Sequence, residues 1–373
     1  MKCNKLFLLV LFSSLFFVSC DPEEDTPPLY TSKGTYDSGV LVLNEGQYGQ
    51  TNASISYISF DLNTTKNNIF GLENNISLGE TGQTIGFYND LAYIIVNGGD
   101  KIEIVNRYSM KKTGTISSGL SSPRYITFIN GKGYVTCWGE ESITSDDYVA
   151  VVNLSSNQVV KSIPVVEGPE FITDYNNKLY ISHAGGWNQN NKVTIINGAT
   201  DVIDGMPIVV GDVPNELIVH DGYLWIFCAG NPSYAAGGET PAKIVKMNLS
   251  TNTITTFKTF ASSTYSTNMS IFGSFVYYSF GNTVYKEIIE QTNPATPLKN
   301  FNTNSVNVYS MAVKNNLIYV GDAPTFDGNG NVKIFANGDR IETDGSGTQV
   351  YPFGKLMKTV NVGVSPNGFY FNQ

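Results

Sequence analysis

Along most of the chain apolar residues recur at every second position, the spacing of β-strands, and no stretch keeps an apolar face at helical spacing. One unit repeats: a polar turn bearing Gly or Pro, an apolar stretch, a tight Asn/Gly/Asp turn, then an aromatic-rich strand. It reads GQTIGFYNDLAYIIV from Gly82, PRYITFINGKGYVTC from Pro123, PEFITDYNNKLYISH from Pro169 and PNELIVHDGYLWIFC from Pro214. Looser copies start at Thr267 and Val308, and a half copy, PNGFYFN, starts at Pro366. Successive starts lie 41, 46, 45, 53, 41 and 58 residues apart. After each aromatic strand come a loop and another alternating run, such as KIEIVN from Lys101 or KVTIIN from Lys192, and then an outer strand such as VVKSIPV from Val159.

Four strands in a repeat of roughly 40–50 residues predict the blade of a β-propeller. The two ends complete the count. The chain after residue 30 enters on a second-type strand (VLVLNEG from Val40), a third (SISYISFD from Ser54) and an outer strand expected near Ile69, with no innermost strand before them. PNGFYFN is an innermost strand with nothing after it. The expectation is an all-β, seven-bladed propeller over residues 30–373, its four-stranded blades closed into a ring by pairing of the C-terminal strand with the N-terminal blade, which hides the sheet edges that would otherwise invite aggregation.

The first residues break this pattern. Lys2 and Lys5 precede an apolar run, residues 6–18, interrupted only by Ser13 and Ser14. That run is shorter than the roughly 20 residues of a membrane span and suits a secretory signal peptide, read as residues 1–19. It ends in Phe17-Val18-Ser19-Cys20, a lipobox-like sequence in which Cys20 would carry lipid. Asp21-Pro22-Glu23-Glu24-Asp25 and the prolines Pro27 and Pro28 follow, too charged and too stiff to join a core, so residues 20–29 read as a lipidated acidic tether.

Composition narrows the function. A net charge of −9 with scattered lysines and arginines excludes the basic stripe that nucleic acid binding requires. Of four cysteines, only Cys137 and Cys228 fall in the repeats, at the same step of two non-adjacent units, and are expected to be buried free thiols. The two histidines, His183 and His220, stand apart, and no metal-ligand cluster, phosphate loop or nucleophile elbow is present. No metal, no cofactor and no catalysis are expected. Asp327-Gly328-Asn329-Gly330-Asn331 begins like a calcium loop, but Gly338 stands where the closing acid belongs, so it reads as a Gly/Asn turn.

At Leu43-Asn44-Glu45-Gly46-Gln47-Tyr48-Gly49 and Ser54-Ile55-Ser56-Tyr57 the sequence resembles a family of Bacteroidetes surface β-propeller lipoproteins of the YVTN or surface-layer-like type. Tyr319-Val320-Gly321-Asp322-Ala323 and Val362-Gly363-Val364-Ser365-Pro366 agree with it, and the likeness runs through the whole chain after the tether. The acidic residues after Cys20 are similar to that group's export signal to the outer face of the outer membrane. Some relatives are the surface lipoproteins of vitamin B12 uptake systems. The resemblance therefore implies a monomer held to the membrane through its lipid anchor alone, capturing a corrinoid for a TonB-dependent outer-membrane transporter. A glycan-binding or adhesion propeller is the alternative, and a propeller lyase or hydrolase a further one.

A ligand is expected on the face that gathers the loops between second and third strands. Those loops, near residues 44–52, 138–147, 184–191, 229–239 and 322–331, carry Tyr48, Trp138, Trp187, Asn188, Tyr234 and Phe326. The starts of the inner strands add Arg124, Glu170, Asn215, Asn268 and Tyr309 beside the axis, with Arg124 and Glu170 at the same step of adjacent blades and so able to pair. Aromatic rings among amides suit a large ligand with a flat apolar part and polar edges.

Overall fold

The repeats fold into seven antiparallel sheets, each one blade of a propeller, with strands labelled A to D from the axis outward. In a computed structural model, residues 31–140, 142–291, 296–338, 340–344 and 347–373 are described, and Lys33–Gln373 form one unit. The signal segment, Cys20 and the tether lie outside the described residues. In the third blade the four strands are Pro123–Ile129, Lys132–Cys137, Tyr148–Asn153 and Gln158–Pro164. The closing blade is assembled from both ends of the chain: Pro366–Asn372 pairs antiparallel with Gly39–Asn44, which pairs with Ser54–Ser59 and then Thr65–Lys66.

The core is divided into seven apolar clusters, one between each pair of neighbouring blades. Strand Leu91–Val96 shows why. Its Ala92, Ile94 and Val96 pack toward the N-terminal blade, while Tyr93 and Ile95 pack toward the next one. The period-two pattern predicted one buried face per strand, and the structure corrects this, because a blade lies between two neighbours and its middle strands are covered on both sides. The polar members of the alternation are therefore paired inside. Glu103, buried on the third strand of its blade, accepts bonds from Lys101 at 2.7 Å and Thr115 at 2.8 Å and lies 2.9 Å from Lys112. Burial opposes its charge, but these partners prevail and hold its carboxyl below the ordinary range.

Other expectations change in detail. The outer strand of the N-terminal blade is not near Ile69 but is the two-residue Thr65–Lys66, and Ile69 opens a short helix, Ile69–Asn74. Ile69 and Phe70 are consecutive and both buried, which a half-exposed outer strand cannot arrange and a helix turned against the blade can. Asn329, Gly330 and Asn331, read as part of a turn, belong to strand Asn329–Ala336. The seventh blade is long because a separate hairpin, Arg340–Asp344 with Gly347–Tyr351, is inserted before its outer strand, Leu356–Val364. Cys137 and Cys228 are buried free thiols, each opposite the proline that starts its blade's A strand.

Candidate functional site

The A strands do not enter the ring smoothly. The residue before each takes a left-handed conformation in five blades: Thr81, Ser122, Gly168, Val213 and Ser365 all have φ between 47° and 68°. A register shift follows at once. Pro123 opposes Cys137, yet Ile126 opposes Val135, so Arg124 and Tyr125 together face the single residue Thr136, whose Oγ1 accepts the Tyr125 N–H at 3.0 Å. The same bulge recurs at Glu170 and Phe171, with Ser182 Oγ accepting the Phe171 N–H at 3.1 Å, and at Asn215 and Glu216. A bulge re-aims side chains. Here it delivers consecutive residues of each strand to the axis.

The result is an axial channel of about 560 Å³ to which all seven blades contribute. Arg124, Glu170, Asn215, Asn268 and Tyr309 line it, as predicted from their place at the strand starts. Arg124 donates to both oxygens of Glu170, at 2.8 and 3.1 Å, and its guanidinium stacks 4.0 Å from the ring centre of Trp138. Trp138 is itself fixed by an Nε1–H bond to the Pro169 carbonyl at 3.0 Å. It is a shelf for Arg124 rather than a free platform. Burial opposes the charge of Arg124, but Glu170 outweighs it and keeps the guanidinium above its ordinary value.

Beside the channel, and sharing Arg124, Glu170 and Asn215 with it, runs a groove of about 350 Å³ between the loops of the third, fourth and fifth blades. Trp138, Trp187, Asn188 and Tyr234 all line it. Trp187 is 67% and Tyr234 74% exposed, unusual for rings of that size. The Trp187 loop is nonetheless held in place. Asn188 donates to Glu167 Oε1 at 2.6 Å, Asn190 donates to the Glu167 carbonyl at 2.8 Å, and a Cβ on Gly168 would meet the Gly185 backbone at 2.3 Å, so only glycine allows the two loops to touch. Phe326 stands edge-on to Tyr309, 5.8 Å between centroids, and so reaches the rim on the far side. Tyr48 is 80% exposed and lines neither the channel nor the groove.

Several residues of the site escaped the sequence reading, among them Tyr265, Glu216 and Glu45. Tyr265, 90% exposed, lines both channel and groove from a polar loop with no repeat to mark it. Glu216 follows Asn215, and strict alternation turns it away from the axis, but the bulge brings it in, where Oε2 accepts the Met269 N–H at 2.5 Å. Glu45 reaches the channel from the loop after Gly39–Asn44 and accepts the Tyr309 hydroxyl at 2.5 Å. Burial pushes the Glu216 carboxyl well above the ordinary range. It also raises Glu45, reinforced by nearby Glu170 and opposed by Tyr309 and Arg124. Both histidines are elsewhere: His183 is fully buried against Thr194 at 2.8 Å, and His220 lies 3.1 Å from Asp221 at an A–B turn.

A family model described as a domain of unknown function, DUF5074, matches residues 38–325. No curated protein matches the sequence. Among solved structures, the chain is similar to Kuenenia stuttgartiensis hydrazine synthase, at 12% identity and a TM-score of 0.58 over 83% of this chain and 98% of that one. It is similar to a hypothetical selenium-binding protein from Sulfolobus tokodaii, at 10% identity and a TM-score of 0.58 over 92% and 97%. It is also similar to the dihydro-heme d1 dehydrogenase NirN in complex with DHE, at 10% identity and a TM-score of 0.53 over 92% and 76%. At such identities the likeness is one of fold.

Proposed function

This chain belongs to the DUF5074 family, and from its recess we propose that it is a surface lipoprotein that captures a ligand rather than transforming one. A corrinoid is the leading candidate, and a TonB-dependent outer-membrane transporter the receiver. The observation that carries the reading is the continuous recess of channel and groove, where exposed rings (Trp187, Tyr234, Tyr265) stand over amide and hydroxyl groups (Asn188, Asn215, Asn268, Tyr309) supplied by several blades. A flat macrocycle fringed with amides needs both: apolar planes to cover its faces and donors and acceptors for its edge. The volumes lie within the roughly 300–1,000 Å³ usual for ligand sites. Lipidation at Cys20 and the acidic residues after it would place the propeller on the outer face of the outer membrane. A binding role accords with the position of both histidines away from the recess and with the commitment of Arg124 to Glu170.

The test is retention of cobalamin and cobinamide on gel filtration by the protein expressed without its first 20 residues. Stoichiometric retention, lost in a Trp187→Ala/Tyr234→Ala variant that keeps the wild-type melting temperature, is the expected result. No retention by the folded protein overturns corrinoid capture. Binding to an oligosaccharide array by the same rings would then support the glycan reading, which the strong exposure of Tyr234 and Tyr265 favours.

A further inference from the structure

The channel wall holds more negative than positive groups, and its one cation is already spoken for. Glu45, Glu170 and Glu216 line it, while Arg124 is the only lysine or arginine among the described residues that do so. Arg124 gives its Nε and Nη2 bonds to Glu170. Glu216 receives one bond, from the Met269 backbone, and no cation faces it. Glu45 receives one, from Tyr309. A third acceptor is independent of these acids. Asn367 lines the same channel and spends its amide N–H groups on the Gly82 and Gln83 carbonyls, at 2.9 and 3.2 Å, leaving its Oδ1 buried with no donor. Buried acceptors are rarely left without partners.

We propose that the axial channel recognises an organic cation, an ammonium or guanidinium group on the ligand, through the carboxylates of Glu216 and Glu45. A metal ion is a poorer fit, because no group of acidic, histidine or cysteine side chains among the described residues is arranged to hold one. The inference rests on the reading of the recess as a ligand site and adds which chemical group enters the channel. Burial favours the protonated form of both carboxyls, in keeping with their upward shifts. An incoming cation displaces those protons, so its binding strengthens as pH rises. The other titratable groups facing the channel are Arg124, Glu170 and the tyrosines Tyr125, Tyr265, Tyr309 and Tyr370. Of the tyrosines, Tyr125, Tyr309 and Tyr370 are shifted upward by burial and stay neutral through this range.

The probe is agmatine, which carries an ammonium and a guanidinium on a short chain, titrated calorimetrically into the lipid-free protein at pH 6 and pH 8. Binding at both, at least fivefold tighter at pH 8, is the expected result. Glu216→Gln should weaken it tenfold or more at pH 8 and flatten the pH dependence, and Glu45→Gln should weaken it less, with melting temperatures unchanged in at least one variant. No binding at millimolar agmatine, equal affinity in folded Glu216→Gln, or affinity falling with pH overturns the proposal. Its failure is separable from that of corrinoid capture. Cobalamin retained while agmatine is ignored removes only the cation site, and agmatine bound while cobalamin is not removes only the corrinoid.

Discussion

Trp225 and Trp187 show how far context decides what one residue type does. Trp225 is fully buried between the fifth and sixth blades, edge-on to Phe257 at 4.9 Å with Lys246 over its ring at 4.7 Å. Replacing it by alanine should leave a cavity and cost about 3–5 kcal/mol in urea unfolding, whereas Trp187→Ala, removing a ring already in water, should cost less than about 1 kcal/mol. Equal losses would refute the assignment of Trp187 to a rim. Asp147 offers a second residue-scale prediction. It is buried near Asp146 and Glu167, and burial raises its carboxyl to about 6 although the Gly168 N–H bonds it at 3.1 Å. A carboxyl whose folded value lies above its unfolded one favours the native state at low pH, and that contribution fades between about pH 4 and pH 6. Asp147→Asn keeps the acceptor and drops the charge. It should stabilise the protein by about 1 kcal/mol at pH 8, after allowance for solvent screening, and change little at pH 4.5. Denaturant midpoints at the two pH values measure this directly.

At the scale of elements, the repeat made the blades legible because its signal is strong: a Pro or Gly, a tight turn and alternating runs recur in register, and the complete units fold as four-stranded blades, with the outer strand of the fourth blade split into Val202–Ile203 and Ile208–Val209. What the repeat does not encode was misread. Residues 65–74 carry no repeat signature, so the alternation there does not distinguish the helix Ile69–Asn74 from an outer strand. The bulges at Arg124, Glu170 and Asn215 are invisible to period-two reasoning, which is why Arg124 and Asn215 were placed at the axis while Glu216 was not. Glu45 lies inside a segment that marked the family resemblance, yet its approach to Tyr309 is made across the seam between the first and seventh blades, which spacing along one chain cannot reveal. The long interval before Pro366 was the visible trace of the inserted hairpin. Among the described residues that hairpin pairs only with itself, and Arg340 stands opposite Tyr351. Replacing residues 341–350 by Asn-Gly should therefore close the same pair with a two-residue turn. The melting temperature should stay within a few degrees, because no blade loses a strand. A loss of cooperative unfolding would mean that the hairpin supports the seventh blade.

At the scale of the molecule, stability depends on a closure that no blade can make alone. Pro366–Asn372 supplies the axial strand of a blade whose other three strands come from the opposite end of the chain, and its Phe369 and Phe371 pack on the cluster shared with the seventh blade. The outer end of the joint is latched. Arg107 donates to the Phe371 carbonyl at 3.1 Å and to Asn372 Oδ1 at 2.5 Å, while Asn372 donates to the Tyr36 and Arg107 carbonyls at 2.7 and 2.8 Å. Removing residues 366–373 should strip one edge of Gly39–Asn44, expose Val40, Leu41, Val42 and Leu43, and yield a chain that aggregates or unfolds without a cooperative transition. That result alone would not separate ring closure from the loss of any buried strand. The ends allow a sharper test. Lys33 Nζ lies 3.2 Å from the Tyr108 hydroxyl, which in turn lies 3.4 Å from the Gln373 carbonyl, so the two ends of the propeller meet at one side chain. A short Gly/Ser linker from Gln373 to Lys33, with new ends opened between Gly205 and Met206 in an exposed outer turn, keeps every axial strand and makes the split blade continuous. If closure is what the C-terminal strand provides, this permutant should unfold in one transition at or above the wild-type midpoint. A permutant that is folded but markedly less stable would show instead that the freedom of the two ends, rather than the pairing they complete, is what the native ring requires.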